Sequence, residues 1–218
     1  MTTSKPTVVY FQLGGRAEHI RMLLAHSKTE WEDERLTGEE FGARKAAGDF
    51  PSGQIPVYIE DGKVLNQGKA ILTYLGAKHG YLPTDAHDLY TCDWVWECRV
   101  DMFGSDFYYP WFKAASGAIP SEEDSANRVE RFGKFCTQMD KALEHGKPFF
   151  CGDKITVADF SALSTLWLFS TCPGTLLKDL NARCLAKIEA CPHLHKWYTH
   201  MCTVELGDYL TNHFECIM

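Results

Sequence analysis

The chain has 218 residues, of which 45% are hydrophobic and 23% are charged, a composition typical of a chain that folds around a buried core. Its formal net charge of −7 argues against a nucleic-acid-binding surface, which needs clustered positive charge. No apolar run approaches the ~20 residues of a membrane-spanning helix. The first residues, MTTSKPTVVYFQ, lack the apolar stretch of a secretion signal, so we expect a cytoplasmic protein.

Cysteine and charge are both distributed unevenly along the chain. All nine cysteines lie after residue 91; their odd number and the lack of a CxxC pair argue against a disulfide framework or a zinc site. We expect buried, reduced thiols. A sensing or reactive role for an exposed cysteine is the alternative. Residues 1–80 carry 10 basic and 10 acidic side chains, and the other 12 basic and 19 acidic ones follow. These shifts predict two domains, residues 1–80 and 88–218, with a linker at 81–87.

The first domain alternates strands and helices. A buried strand is predicted at residues 7–11, a helix at 16–27, a weaker strand at 29–36 and then an irregular segment. Asp61-Gly62 predicts a tight hairpin turn between strands at 56–60 and 63–65. The last helix, residues 69–78, is predicted to end at Gly80 and to bury Ala70, Ile71, Tyr74 and Leu75.

From His87 onward the pattern predicts helices alone. Residues 121–145 carry one apolar stripe with helical spacing, formed by Val129, Phe132, Cys136, Met139 and Leu143. Thr156-Val157-Ala158-Asp159 predicts a capping box at the start of another helix. Pro192 separates two later helices, at 181–190 and 194–203. The fold class is therefore an α/β domain followed by an all-helical domain.

Three segments resemble a known family: TVVYFQLGGRAEHIRMLLA, SGQIPVYIEDGKVLNQGKAILTYLG and FFCGDKITVADF. Together they resemble the cytosolic glutathione transferases of the tyrosine-type branch (pi, mu, alpha and sigma classes), with sigma and pi fitting best. The resemblance implies a thioredoxin-like N-terminal domain that binds glutathione, an all-helical C-terminal domain, a homodimer and no metal. It also implies conjugation of glutathione to small hydrophobic electrophiles, a detoxifying reaction.

The resemblance assigns catalysis to Tyr10 and Arg16. A tyrosine at the end of the first strand donates a hydrogen bond to the sulfur of bound glutathione, and the arginine lies beside the thiolate. A hydrogen bond to a charged group contributes about 1.5–3 kcal/mol, and one pKa unit corresponds to about 1.4 kcal/mol. One such bond would therefore lower the thiol pKa by roughly one to two units, without a general base.

Glutathione-binding residues follow from the same resemblance. Gln54, Ile55 and Pro56 match the segment with a cis-proline whose backbone pairs with the cysteinyl part of glutathione. Gln67 and Gly68 match a Gln-Ser pair that holds the γ-glutamyl carboxylate at a helix N-terminus. Glycine here removes a hydroxyl donor, so weaker binding is expected. Asp101 matches an acidic residue that reaches the γ-glutamyl ammonium of the partner subunit, although a solvated helix carboxylate is the alternative.

The glycyl carboxylate and the electrophile are assigned less directly. Phe41 replaces a tryptophan and offers no indole N–H, while Lys45 fits the basic position and Arg44 is its alternative. The electrophile pocket would include Phe11 and Leu13 from the first domain and Tyr108 and Trp111 from the second, where core or interface positions are equally expected. Phe50 matches an aromatic side chain that inserts into the partner subunit.

Three other functions stay open at this point. A glutathione-binding or structural protein without turnover is favoured by Gly68 and Phe41. A sigma-like, glutathione-dependent prostaglandin isomerase follows from class analogy alone. A thiol oxidoreductase is disfavoured because a tyrosine, not a cysteine, ends the first strand.

Overall fold

The protein was analysed as a computed structural model that describes residues 5–103, 120–175 and 177–212. The chain divides into two compact units, residues 1–82 and residues 83–218. Residues 81–82 of the predicted linker belong to the first unit and residues 83–87 to the second, in which a helix begins at Ala86. In the parts of the chain that are described, no helix is long and apolar enough to cross a membrane.

The first unit is built on a four-stranded mixed sheet. Its elements are β1 (Thr7–Phe11), a 3₁₀ turn (Gly15–Ala17), α1 (Glu18–His26), β2 (Glu32–Leu36), α2 (Gly38–Ala47), β3 (Val57–Glu60), β4 (Lys63–Asn66) and α3 (Gly68–His79). The strand order is β2-β1-β3-β4. β1 is parallel to β2 and antiparallel to β3, which is antiparallel to β4. This is the thioredoxin-like arrangement that the resemblance implies.

The hairpin and the strand positions agree with the prediction. Asp61 and Gly62 both have positive φ, 49° and 74°, as a two-residue turn between β3 and β4 requires. β1 lies between two other strands, and its Val8 and Val9 have no exposed surface. The central strand therefore fixes the position of whatever follows its C-terminal end.

Three details of the first unit differ from the prediction. The helix predicted from residue 16 starts as a 3₁₀ turn and becomes α-helical only at Glu18. The segment taken as irregular contains α2, which Thr37 and Glu40 cap reciprocally. On α3 the buried residues are Ile71, Leu72, Leu75 and Gly76. The predicted burial of Ala70 and Tyr74 is wrong, because the buried stripe is rotated around the helix and Tyr74 bonds to Glu60 at the surface.

Every helix predicted after His87 is present, with shifted ends. The described elements are α4 (Ala86–Phe103), α5 (Glu122–Ala142), α6 (Val157–Ser170), α7 (Lys178–Glu189), α8 (Pro192–His200), a π-helical turn (Met201–Glu205) and α9 (Gly207–Thr211). The predicted stripe of α5 is buried throughout, from Val129 to Leu143. Of the eight cysteines that the structure describes, all are free thiols, and Cys151, Cys191 and Cys202 are partly exposed.

The capping box at the start of α6 is confirmed and extends beyond the helix. The Asp159 carboxylate is fully buried and accepts hydrogen bonds from the Thr156 N–H (2.8 Å), the Phe150 N–H (3.2 Å) and the Trp197 indole N–H (3.0 Å). Burial raises the pKa of Asp159 to about 6, which still leaves the carboxylate ionised at neutral pH. One side chain therefore joins α6, the loop before it and α8.

Replacing Asp159 by alanine is expected to lower the free energy of unfolding by about 3–5 kcal/mol, because several buried N–H groups lose their acceptor at about 1–3 kcal/mol each. Urea unfolding followed by circular dichroism measures this. The control is Asp153→Ala, an exposed carboxylate paired with Lys147, for which a loss under about 1 kcal/mol is expected. Equal losses in the two variants would contradict the central position of Asp159.

Candidate active site

The hydroxyl of Tyr10 is held in place by the backbone. Tyr10 is the fourth residue of β1 and is only 6% exposed. The Arg16 backbone N–H, in the 3₁₀ turn, donates to Tyr10 Oη at 3.2 Å. Because an N–H can only donate, the phenol oxygen is the acceptor and this bond does not use the hydroxyl's own proton.

Gly15 permits this close approach of the turn to the tyrosine. It has φ of +46°, in the left-handed region that favours glycine. A Cβ at this position would lie 2.9 Å from Tyr10 Oη and Cε1 and 2.5 Å from Leu13 Cδ1. Side chains other than hydrogen are therefore excluded both by the backbone and by the tyrosine ring.

Arg21 is an organising residue that the sequence prediction missed. Its side chain is 1% exposed and donates to the carbonyl of Leu13 (2.8 Å) and to Asp33 Oδ1 on β2 (3.0 Å). It also lies 3.5 Å from the buried carboxylate of Glu18. These contacts tie the loop after β1 to the neighbouring strand. The sequence feature that could have indicated this role is a glutamate and an arginine three residues apart on the otherwise apolar face of α1.

The predicted proline loop lies beside Tyr10. The last pair of the β1–β3 ladder is Val9 with Val57, so Tyr10 and Pro56 are the next residues on the two strands. The Ile55–Pro56 peptide bond is cis, as the resemblance implies. Gln54 is exposed, Ile55 packs against the core of the unit and Pro56 is buried. The backbone of this loop therefore follows the end of β1.

The start of α3 approaches the same turn. Gln67, at the N-cap of α3, has φ of 68°, an unusual value for a residue with a side chain. The Arg16 carbonyl oxygen lies 3.5 Å from the place where a Cβ on Gly68 would stand. Since the N–H of Arg16 contacts Tyr10 and its carbonyl faces Gly68, the turn connects the two predicted sites. The Arg16 side chain itself is exposed.

Helix α2 supplies an aromatic stack and two basic side chains. Phe41 packs edge-on against Phe11 (5.2 Å between ring centroids) and stacks on Phe50 (5.7 Å). Arg44 is engaged by Glu34 and by Asp49 (2.9 Å). Lys45 is exposed, lies over the Phe41 ring and forms no ion pair with any residue that the structure describes. Of the two basic alternatives, Lys45 is the one available to an anion.

Lys45 also reaches toward the proline loop. A Cβ on Gly53 would lie 3.3 Å from Lys45 Cε, so the lysine stem passes beside the residue before Gln54. Phe11, which contacts both Tyr10 and Phe41, links β1 to α2. The structure thus brings the predicted N-terminal residues into one contiguous region.

The remaining predicted residues are Phe50 in the first unit and Asp101, Tyr108 and Trp111 further along the chain. Asp101 is exposed on α4, in the second unit. Tyr108 and Trp111 lie outside the described residues. Phe50, expected to insert into a partner subunit, is 4% exposed and packs in the core of its own unit with Val9, Leu36 and Val57, so that expectation is wrong. No cluster of three or more metal-binding side chains occurs among the residues with described positions.

Replacing Gly15 by alanine is expected to lower the free energy of unfolding by about 3 kcal/mol, because positive φ costs roughly 1–2 kcal/mol and the methyl group collides with Tyr10 and Leu13. Gly48→Ala separates the two causes, since Gly48 has φ of +85° but open space around it. A loss of about 1 kcal/mol is expected there. Denaturant unfolding of the two variants gives both values, and equal losses would exclude the collision.

Comparison with known proteins identifies the family. The model of the glutathione S-transferase N-terminal domain matches residues 6–77, and that of the C-terminal domain matches residues 105–201. Glutathione S-transferase alpha-4 of Rattus norvegicus is 32% identical over 182 residues, which is 80% of this chain and 78% of the relative. Glutathione S-transferase 3 of Caenorhabditis elegans is 34% identical over 204 residues, 87% and 93% of the two chains.

A solved structure agrees in fold along the whole chain. The glutathione S-transferase from Ascaris lumbricoides superposes with a TM-score of 0.80 at 22% identity, covering 99% of this chain and 100% of that one. Two family models together span most of the chain, and both of these relatives exceed 30% identity. The chain therefore belongs to the glutathione S-transferase family of enzymes.

Proposed function

We propose that the protein joins the thiolate of glutathione to small hydrophobic electrophiles in a detoxifying reaction, as a cytoplasmic homodimer, with Tyr10 stabilising the thiolate. The observation that carries the proposal is the hydrogen bond from the Arg16 N–H to Tyr10 Oη (3.2 Å). It orients the phenol beside the cis-proline loop while leaving the phenolic proton out of that bond.

The chemical requirement is a thiolate at neutral pH. A free thiol has a pKa near 8.5 and is only a few per cent ionised at pH 7, yet the thiolate is the nucleophile. A phenol that donates to the sulfur stabilises the anion over the thiol. A donor that is itself hydrogen-bonded at its oxygen is polarised, so the Arg16 N–H strengthens the donation from Tyr10.

The cysteinyl part of glutathione is assigned to the proline loop. Ile55 offers its backbone N–H and C=O just before β3, where an extended peptide would be read as an added strand. Gln54 is exposed beside it. The Arg16 side chain, exposed at the turn, supplies positive charge close to the sulfur.

The two carboxylates of glutathione are assigned to opposite sides of the site. Gln67 and Gly68 offer the N–H groups at the start of α3 to the γ-glutamyl carboxylate, helped by the helix dipole. Lys45, resting on Phe41, pairs with the glycyl carboxylate. Asp101 of a partner subunit is proposed to meet the γ-glutamyl ammonium.

The electrophile is assigned to apolar surface at the end of β1. Phe11 and Leu13 are half-buried there, on either side of Gln12. Tyr108 and Trp111 complete the proposed pocket. An apolar wall beside the sulfur favours hydrophobic electrophiles because it removes both partners from water.

A second candidate is glutathione binding without turnover. It is favoured by Phe41, whose ring is held in an aromatic stack and cannot donate a hydrogen bond as a tryptophan would. Retention on immobilised glutathione with no conjugation of an activated aryl halide would support this candidate over the enzyme.

Replacing Tyr10 by phenylalanine is expected to lower the rate of conjugation of an activated aryl halide about 10- to 100-fold, since a charged hydrogen bond worth about 1.5–3 kcal/mol is lost. Initial rates at saturating glutathione measure this. Tyr74→Phe removes an exposed hydroxyl of the same unit that bonds Glu60, and its rate is expected to stay within twofold of wild type. A wild-type rate for Tyr10→Phe would remove the proposed role.

Replacing Lys45 by methionine is expected to raise the KM for glutathione about 5- to 10-fold with little change in kcat, because methionine keeps the apolar stem and loses the charge. Arg44→Met is the matched control: it removes ion pairs to Glu34 and Asp49, so stability should fall by up to about 1 kcal/mol while the KM stays within twofold. The reverse pattern would transfer the carboxylate site to Arg44.

A further inference from the structure

A histidine side chain, and not the backbone conformation, limits the size of the residue at position 68. Gly68 is the first residue of α3, and its φ lies outside the left-handed region, so its backbone admits any side chain. A Cβ there would stand 3.1 Å from His19 Nε2 and 3.2 Å from His19 Cε1. A serine side chain would therefore crowd the imidazole of His19, which would have to shift by a few tenths of an ångström.

His19 is also hydrogen-bonded to Gly68 itself. Its Nε2 lies 3.3 Å from the carbonyl oxygen of Gly68. A carbonyl oxygen only accepts, so Nε2 carries the hydrogen of this bond. The imidazole is 1% exposed, on the buried face of α1, which leaves it little room to move aside.

This contact is well placed to control the start of α3. The carbonyl of Gly68 belongs to the first turn of the helix, whose N–H groups are the ones proposed to meet the γ-glutamyl carboxylate. The hydrogen bond from His19 fixes that turn against α1 from the side of the core. On the same side lies the Arg16 carbonyl, 3.5 Å from the Cβ position of Gly68, so a bulkier residue would press on the Tyr10-binding turn as well.

We propose that His19 and Gly68 are a matched pair in which His19 is a positioning residue of the glutathione site. Its imidazole holds the first turn of α3 through the Gly68 carbonyl and crowds any side chain larger than hydrogen at residue 68. The pair thereby replaces recognition by a hydroxyl with recognition by a fixed backbone. This inference rests on the proposed binding of glutathione at the start of α3.

The test is a double-mutant cycle on the dissociation constant of glutathione, measured by titration calorimetry. His19→Ala and Gly68→Ser alone are each expected to weaken binding about fivefold, the first by freeing the turn and the second by crowding the imidazole. The double variant, which has room for the hydroxyl, is expected to bind within twofold of wild type. The KM for glutathione with an activated aryl halide should rise in parallel with the dissociation constant in the two single variants.

Two further variants separate positioning from a loss of folding. His19→Gln keeps a side-chain N–H at a similar reach and is expected to retain affinity within twofold. Gly38→Ser changes a glycine at the equivalent first position of α2, where the space is open, and should leave binding unchanged. A variant that merely misfolds would not be rescued by a second substitution.

The outcomes distinguish this inference from the function on which it rests. If wild-type protein binds no glutathione, the proposed function fails and the pair has no role in it. If wild-type protein binds and the two single effects add in the double variant, His19 and Gly68 act independently and the inference is overturned.

Discussion

The site depends on one hydrogen bond, from the backbone N–H of Arg16 to the hydroxyl oxygen of Tyr10. The hydroxyl of a tyrosine rotates about its C–O bond, and its ability to donate to a ligand depends on where the oxygen lies and where the proton points. The 3₁₀ turn holds the hydroxyl oxygen in place by donating a backbone N–H to it, and the hydroxyl proton takes no part in that bond. Gly15 lets the turn come close enough, and Arg21 holds the loop that leads into it.

The same turn couples parts of the site that are distant in sequence. The backbone of Arg16 contacts Tyr10 through its N–H and faces the start of α3 through its carbonyl. Three residues further on, His19 bonds the first turn of α3. The segment from Gly15 to Arg21 thus links the tyrosine proposed to bind sulfur with the helix end proposed to bind a carboxylate, and it combines a glycine, a buried ion pair and a buried histidine.

The features predicted well from the sequence are those that depend on residues close together in the chain. The Asp61-Gly62 turn, the stripe of α5 and the Thr156–Asp159 box each depend on residues close in the chain. Helix α2 is not predicted, because the helix buries no residue fully and its apolar pattern is therefore weak. Thr37 and Glu40 were the sequence signal for its start, since they form a capping box. The roles of His19 and Arg21 depend on partners in other elements, Gly68 on α3 and Asp33 on β2, which periodicity does not reveal.

Ultraviolet titration of bound glutathione tests the central claim most directly, because thiolate and thiol absorb differently and the pH midpoint gives the pKa of the bound sulfur. A phenolic hydrogen bond to the anion predicts a midpoint about one to two units below the value near 8.5 of a free thiol. A midpoint equal to that of glutathione in buffer would contradict the account, since the oriented tyrosine would then give the anion no advantage.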